Sequence, residues 1–168
     1  MLRYTLLYIL LGPILFGLIY FDGFSPLFFL NNLQTKLTIF LTFSGLDLFN
    51  LPVATHGDLV LFPSGLILKI HYTCNAMAPI LLYTAAIVSY PTDIKSKVYW
   101  LIAGYFILVG LNLIRMLLVA YAVIIDPDSF HWAHNYVGRY GMGVLTLCIF
   151  YFFTQKVPVL KNTFATKK

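Results

Sequence analysis

Charge is scarce in this chain of 168 residues: only 10% are charged, and no polar stretch is long enough to surround a separate water-soluble core. That scarcity excludes an ordinary soluble globular domain. Two cysteines, Cys74 and Cys148, are too few for a disulfide scaffold, and the spans described below place them at opposite ends, so no bridge between them is expected. Internal repeats and low-complexity tracts are absent. The first apolar run lacks a clear small-residue cleavage site and reads as a retained span rather than a signal peptide. Residues 1–168 are expected to form a single membrane-embedded domain.

Hydrophobic residues make up 60% of the chain, and several apolar runs approach the roughly 20 residues needed to cross about 30 Å of hydrocarbon. The formal charge of +5 does not point to nucleic acid, because the lysines sit mainly in one short loop and the C-terminal tail, which membrane orientation explains better. The first run covers about 4–21, with Gly12-Pro13 inside it. A second region, 25–50, is interrupted by Asn31, Asn32, Gln34 and Lys36, and its better half is 37–51. Residues 59–62 and 66–70 read as two short strands around Pro63-Ser64-Gly65. Three clearer spans follow at about 74–90, 98–125 and 136–153. The expected fold is an all-α polytopic membrane protein, a bundle of about five transmembrane helices with a short extramembrane β-hairpin.

At a rise of 1.5 Å per residue, Cys74 lies about 25 Å before the 91–97 loop and Arg115 about 27 Å after it. The two residues are therefore level, near the membrane face opposite that loop, and His134 precedes the last span on the same face. Lys95, Lys97, Lys156, Lys161, Lys167 and Lys168 fall on the other side, which the positive-inside rule makes cytoplasmic. Cys74, Arg115 and His134 then face the exterior or periplasm. If both N-terminal regions cross, Met1 is also external, against the preference of Arg3; an interfacial or re-entrant second segment is the alternative.

Arg115 is a permanent cation inside an apolar run, where insertion costs roughly 2.5–3.5 kcal/mol, so a functional role or snorkelling to the headgroups must explain it. A thiol at a helix N-terminus near a guanidinium favours the thiolate, which makes Cys74 a candidate nucleophile rather than an apolar filler such as Cys148. His134 can exchange protons near neutral pH, with His131 as its rival. Arg115 can stabilise a developing oxyanion, and Asn112, one turn earlier, can orient it. His56, His71, His131 and His134 lack the carboxylate and cysteine partners of a zinc site, so neither metal nor cofactor is expected. Two other classes remain open. Arg115 and Asn112 are interhelical glue in a nonenzymatic scaffold subunit of an envelope or exopolysaccharide assembly system; alternatively, Arg115 lines an anion path in a small transporter, which the apolar inner halves of the clear spans oppose.

The stretch Tyr72-Thr73-Cys74-Asn75-Ala76-Met77-Ala78-Pro79 and onward to Pro91, then Asn112-Leu113-Ile114-Arg115, then His134-Asn135-Tyr136-Val137-Gly138, resembles the exosortase/archaeosortase family over about 57–153. The family pattern has a cysteine opening one span, often followed by Ser-Gly, an Asn-x-x-Arg in the next span and a His-x-x-x-Gly leading into the third. The short length is similar to the compact exosortases, such as the type H group, and Asn75-Ala76 departs from the commoner Ser-Gly. The resemblance implies a membrane-embedded cysteine transpeptidase or protease. Cys74 matches its nucleophile, Arg115 its arginine and His134 its third catalytic position. Implied partners are the lipid bilayer, exported proteins with a C-terminal motif, transmembrane segment and basic tail, and an acceptor for the acyl group. The implied location is the plasma (inner) membrane.

Overall fold

The computed structural model describes Leu2 to Val157. The tail lysines Lys161, Lys167 and Lys168 lie outside the described residues, as do the side chains of Arg3 and Arg139. Five long helices, α1 (Leu2–Ile19), α2 (Phe28–Leu48), α3 (Met77–Ser89), α4 (Ile94–Ile125) and α6 (Gly141–Lys156), carry most of the chain, with a short α5 (Phe130–Trp132) before the last. Strands β1 (Ala54–His56), β2 (Leu59–Leu61) and β3 (Ile67–Lys69) form one antiparallel sheet in sequence order. The mostly helical architecture with a small sheet is the expected one. β1 extends the expected hairpin to three strands, pairing Ala54 with Leu61 and His56 with Leu59. Gly57 and Gly65, with φ of 63° and 84°, make the two turns, a conformation that glycine adopts without Cβ strain.

The exterior is apolar, unlike that of a water-soluble bundle, and a set of polar side chains is buried among the hydrophobic core clusters. Leu6, Ile9, Leu10, Ile102, Phe106, Ile114, Leu118, Val144 and Leu147 point outward, while Asn31, Gln34, Thr38, Thr42, Asn75, Asn112, Arg115 and Thr146 are buried. An apolar exterior around buried polar groups, most of which hydrogen-bond to one another or to backbone, suits a lipid solvent, which offers side chains no polar partners. Two helical stretches, Ile94–Ile125 and Pro127–Lys156, are long and apolar enough to cross a membrane; 4–19 and Met77–Ser89 are shorter apolar helices.

α3 packs against α1, α4 and α6. Tyr83 lies over Gly104, where a Cβ would collide with its ring, and donates its hydroxyl proton to the carbonyl of Trp100 at 2.9 Å. The loop between α3 and α4 is pinned at both ends. Lys97 Nζ donates to the carbonyl of Val88 at 2.6 Å, and the Asp93 carboxylate caps α4 by accepting from the Ser96 amide at 2.8 Å. That cap, together with the Ser96 hydroxyl, holds the Asp93 carboxyl below the usual carboxylate range.

α2 differs from its sequence reading. Most of its polar positions form one inward stripe, with Asn31, Gln34, Thr38 and Thr42 all buried at intervals of three or four residues, while Asn32 and Lys36 are exposed. One continuous helix results. α1 begins beside Tyr90 and Phe150, with which Tyr4 and Tyr8 share a cavity, and ends beside Tyr72, 5.9 Å from Tyr20 between ring centroids. α2 starts at that second end, where Asn31 Nδ2 donates to the Tyr20 carbonyl at 2.9 Å. From there it follows the second half of α4: Gln34 meets Tyr105, Gly45 meets Leu113 and Leu117, and Leu46 joins Met116, Ala120 and Val123. It runs parallel to α4 and does not return to the 91–97 end. Val60, Phe62 and Ile70 seal the same cluster, so the sheet caps the far end of α2 and α4.

Candidate active site

Cys74 ends a 3-10 turn, Tyr72–Cys74, rather than opening a span. α3 starts three residues later at Met77, so the expected position of the thiol at the first turn of a helix is corrected: Asn75 and Ala76 intervene. Ala76 has φ 61°, a left-handed conformation that costs an L side chain about 1–2 kcal/mol. This is the second of the two positions at which the family pattern commonly has Ser-Gly, and the backbone conformation explains why glycine suits it. The thiol is buried, 8% exposed. Its nearest polar neighbour along the chain is the Thr73 hydroxyl at 4.0 Å, which in turn lies 3.4 Å from His71 Nδ1.

The Asn75 side chain fixes the turn. Its Oδ1 accepts from the Met77 amide at 2.8 Å, satisfying one of the open N–H groups at the start of α3. Its Nδ2 donates to the Asn31 carbonyl at 3.1 Å, to Asn31 Oδ1 and to Thr35 Oγ1 at 2.9 Å. Gln34 Nε2 donates to the Asn75 carbonyl at 3.2 Å, and Gln34 Oε1 accepts from the Tyr105 hydroxyl at 2.8 Å.

Asn112 joins Cys74 to Arg115. Its Nδ2 donates to the Cys74 carbonyl at 3.1 Å, and its Oδ1 accepts from Arg115 Nη1 at 3.1 Å. The hydrogen bond between Asn112 and the guanidinium that their one-turn spacing suggested is present, and the two residues reckoned level from helical rise are linked through one side chain. Burial of Arg115, 9% exposed, removes the snorkelling explanation, because a snorkelling guanidinium reaches outward to headgroups.

His134 does not precede the last helix. Helical structure begins at Phe130, and His134 lies inside an eight-residue π-helical segment, Ala133–Tyr140, that continues into α6. Its ring stacks on Phe130 at 5.4 Å, and Phe130 packs against the cluster that contains Cys74. Gly138, one turn on, touches the guanidinium: a Cβ there would stand 2.8 Å from Arg115 Nε. The structure thus gives a reason for glycine in His-x-x-x-Gly. π-Helical turns widen the backbone and recur at functional sites.

His131 is exposed and pairs with Asn135 Nδ2 at 3.1 Å, and His56 is exposed on β1. Among the described residues no three His, Cys or Asp side chains converge as a metal site would require. Cys148 is a free, exposed thiol on α6, and Cys74 is also free. A cavity of about 530 Å³ lies between α1, α3 and α6, lined by Tyr8, Leu82, Ala86, Ser89, Gly143 and Leu147, and Cys74 takes no part in it.

The family model for transmembrane exosortases matches residues 2–151. The chain belongs to that family. Membership extends across α1 and α2, beyond the 57–153 stretch in which the resemblance was legible, and places the chain among membrane proteins of the transpeptidase or protease kind. No curated protein and no solved structure matches it. Sequence reasoning saw Asn75 beside Cys74 but missed Asn31, Gln34, Thr35 and Tyr105 as members of its neighbourhood. The signal was the spacing of Asn31, Gln34, Thr38 and Thr42, which is helical and one-sided.

Proposed function

We propose that this exosortase-family chain is a cysteine transpeptidase or protease that cuts membrane-anchored, exported proteins near the outer face of the plasma (inner) membrane. The observation that carries the proposal is the side-chain bridge from the Cys74 carbonyl through Asn112 to Arg115. It brings a thiol and a permanently charged donor set into one buried neighbourhood, the pairing that acyl transfer through sulfur uses. Cys74, as thiolate, attacks the carbonyl carbon of the scissile peptide. Arg115 holds the oxyanion through its fixed N–H donors. His134 gives a proton to the leaving amine, which departs and leaves a thioester. An amine, a hydroxyl or water then attacks the thioester, His134 takes its proton, and the thiolate returns. Substrates are exported proteins with a C-terminal motif, a transmembrane segment and a basic tail.

Orientation is part of the same proposal. α1, α3, α4 and the 130–156 helix connect the two ends of the bundle, whereas α2 stays at the end that carries the sheet. The chain crosses four times in this reading, and α2 is the interfacial segment that relieves the conflict with Arg3. Arg3, Lys95, Lys97 and Lys156 then share the cytoplasmic side, while Asp22, Asp47, Asp58, Asp126 and Asp128 lie on the outer side with Cys74.

The test uses a candidate substrate from the same genome, an exported protein with a C-terminal motif, apolar segment and basic residues, followed by size shift on a gel. Cys74→Ala and Cys74→Ser are expected to abolish processing while the protein still inserts. Unimpaired processing by Cys74→Ala would overturn the enzyme and leave Arg115 and Asn112 as the packing glue of a scaffold subunit.

A further inference from the structure

We infer that α2 is part of the reaction machinery, with Asn75 as the positioning residue through which Asn31, Gln34 and Tyr105 set the attitude of Cys74. The inference rests on the proposed role of Cys74 as nucleophile. A nucleophile on a turn between a 3-10 segment and a helix has little regular backbone to hold it, and a misplacement of about 1 Å is costly to catalysis. Here every side of that turn is held. The Cys74 carbonyl is taken by Asn112 from α4, and the Asn75 carbonyl by Gln34 from α2. The Asn75 amide group donates to Asn31 and Thr35 while its oxygen caps Met77. Tyr105, again from α4, completes a closed circuit by donating to the same Gln34.

The circuit links the sequence departure to the structure. An asparagine has two donors and an acceptor on one planar group, so it can cap α3 and reach α2 at once; a serine hydroxyl is too short to do both. Asn75 is 0% exposed, as is Asn31, which leaves water no means of replacing a lost partner. The polar stripe of α2 is thereby tied to the residue next to the thiol.

The experiment uses the full chain in membrane vesicles, in a Cys148→Ser background so that Cys74 is the single thiol. Variants are Asn75→Asp, Asn75→Ala, Gln34→Ala and Tyr105→Phe, the last removing one hydroxyl without emptying the core. Two readouts are taken: processing of the candidate substrate, and the rate of Cys74 alkylation by iodoacetamide from pH 6 to 10. Asn75→Asp keeps the acceptor for Met77 but loses the donors to α2 and adds negative charge beside the thiol. It is expected to shift the alkylation profile to higher pH and to lower processing at least tenfold. Gln34→Ala is expected to lower processing by about tenfold and Tyr105→Phe by a few-fold, with expression and insertion unchanged. Asn75→Ser combined with Ala76→Gly is expected to recover more activity than Asn75→Ala. Wild-type processing and an unmoved alkylation profile in Asn75→Asp and Tyr105→Phe would overturn the positioning role while leaving Cys74 as nucleophile. Should Asn75→Asp fail to fold, Tyr105→Phe alone decides. Loss of the nucleophile reading is recognised separately, by undiminished processing in Cys74→Ala.

Discussion

The Arg115 guanidinium lies against the bare backbone of Gly138, so close that a methyl group at 138 would be 2.8 Å from Nε. A buried cation has been given its place by the omission of a side chain on the neighbouring helix. Gly138→Ala is therefore expected to push the guanidinium off Asn112 and to lower substrate processing by about 10²-fold, the range seen when one oxyanion donor is removed. Insertion and thermal stability should change little, because only the end of the Arg115 side chain must move. Processing within twofold of wild type would show that its position against Gly138 is immaterial.

Ala76 offers a second check. Replacing it by glycine relieves about 1–2 kcal/mol of left-handed strain, but loses a buried methyl worth about 0.8 kcal/mol and loosens the unfolded chain by about 0.4–1 kcal/mol. The terms nearly cancel, so Ala76→Gly is expected to stay within about 1 kcal/mol of wild type. Ala76→Val, a β-branched residue forced to the same φ, should cost about 2–3 kcal/mol. Thermal unfolding in detergent, followed by monomer loss on size exclusion, distinguishes the two.

Between α3 and α4, Gly104→Ala should destabilise by about 1–3 kcal/mol because the Tyr83 ring occupies the space that the added Cβ would take. In a Tyr83→Ala background the same change should cost far less. Equal costs in both backgrounds would mean that the two sites do not couple.

Asp93 gives a pH dependence. Its carboxyl is held below the ordinary value by Ser96, so the cap contributes fully above the unfolded value near 4 and is lost as pH falls through the lower, folded value. The gap in melting temperature between wild type and Asp93→Ala should thus be largest at neutral pH and shrink below about pH 4. A gap that is constant from pH 7 to 3 would contradict the charged cap.

Composition and run length were sufficient for the long apolar helices, and counting residues from the 91–97 loop brought Cys74 level with Arg115, because helical rise is a property of the backbone alone. What stayed hidden depended on side chains meeting across elements. Asn31 and Gln34 look like breaks in a span when read as polarity in a window, and their inward face becomes meaningful only once Asn75 and Tyr105 are known to stand opposite. The start of α3 was misplaced for a local reason: Ala76 adopts a backbone state that alanine rarely takes, so no turn signal marked it. Likewise nothing in Asp126 to Asn135 announces a helix, since the short 3-10 turn at Pro127–Ser129 leads into helix directly and Phe130 and His134 stack along it.

α4 carries a further consequence. Arg115 lies 21 residues beyond Ile94, about 32 Å along the axis, which is close to the thickness of the hydrocarbon layer at about 30 Å. On the proposed orientation the helix sets the depth of Arg115 as a ruler would, one hydrocarbon thickness from the end that carries Lys95 and Lys97.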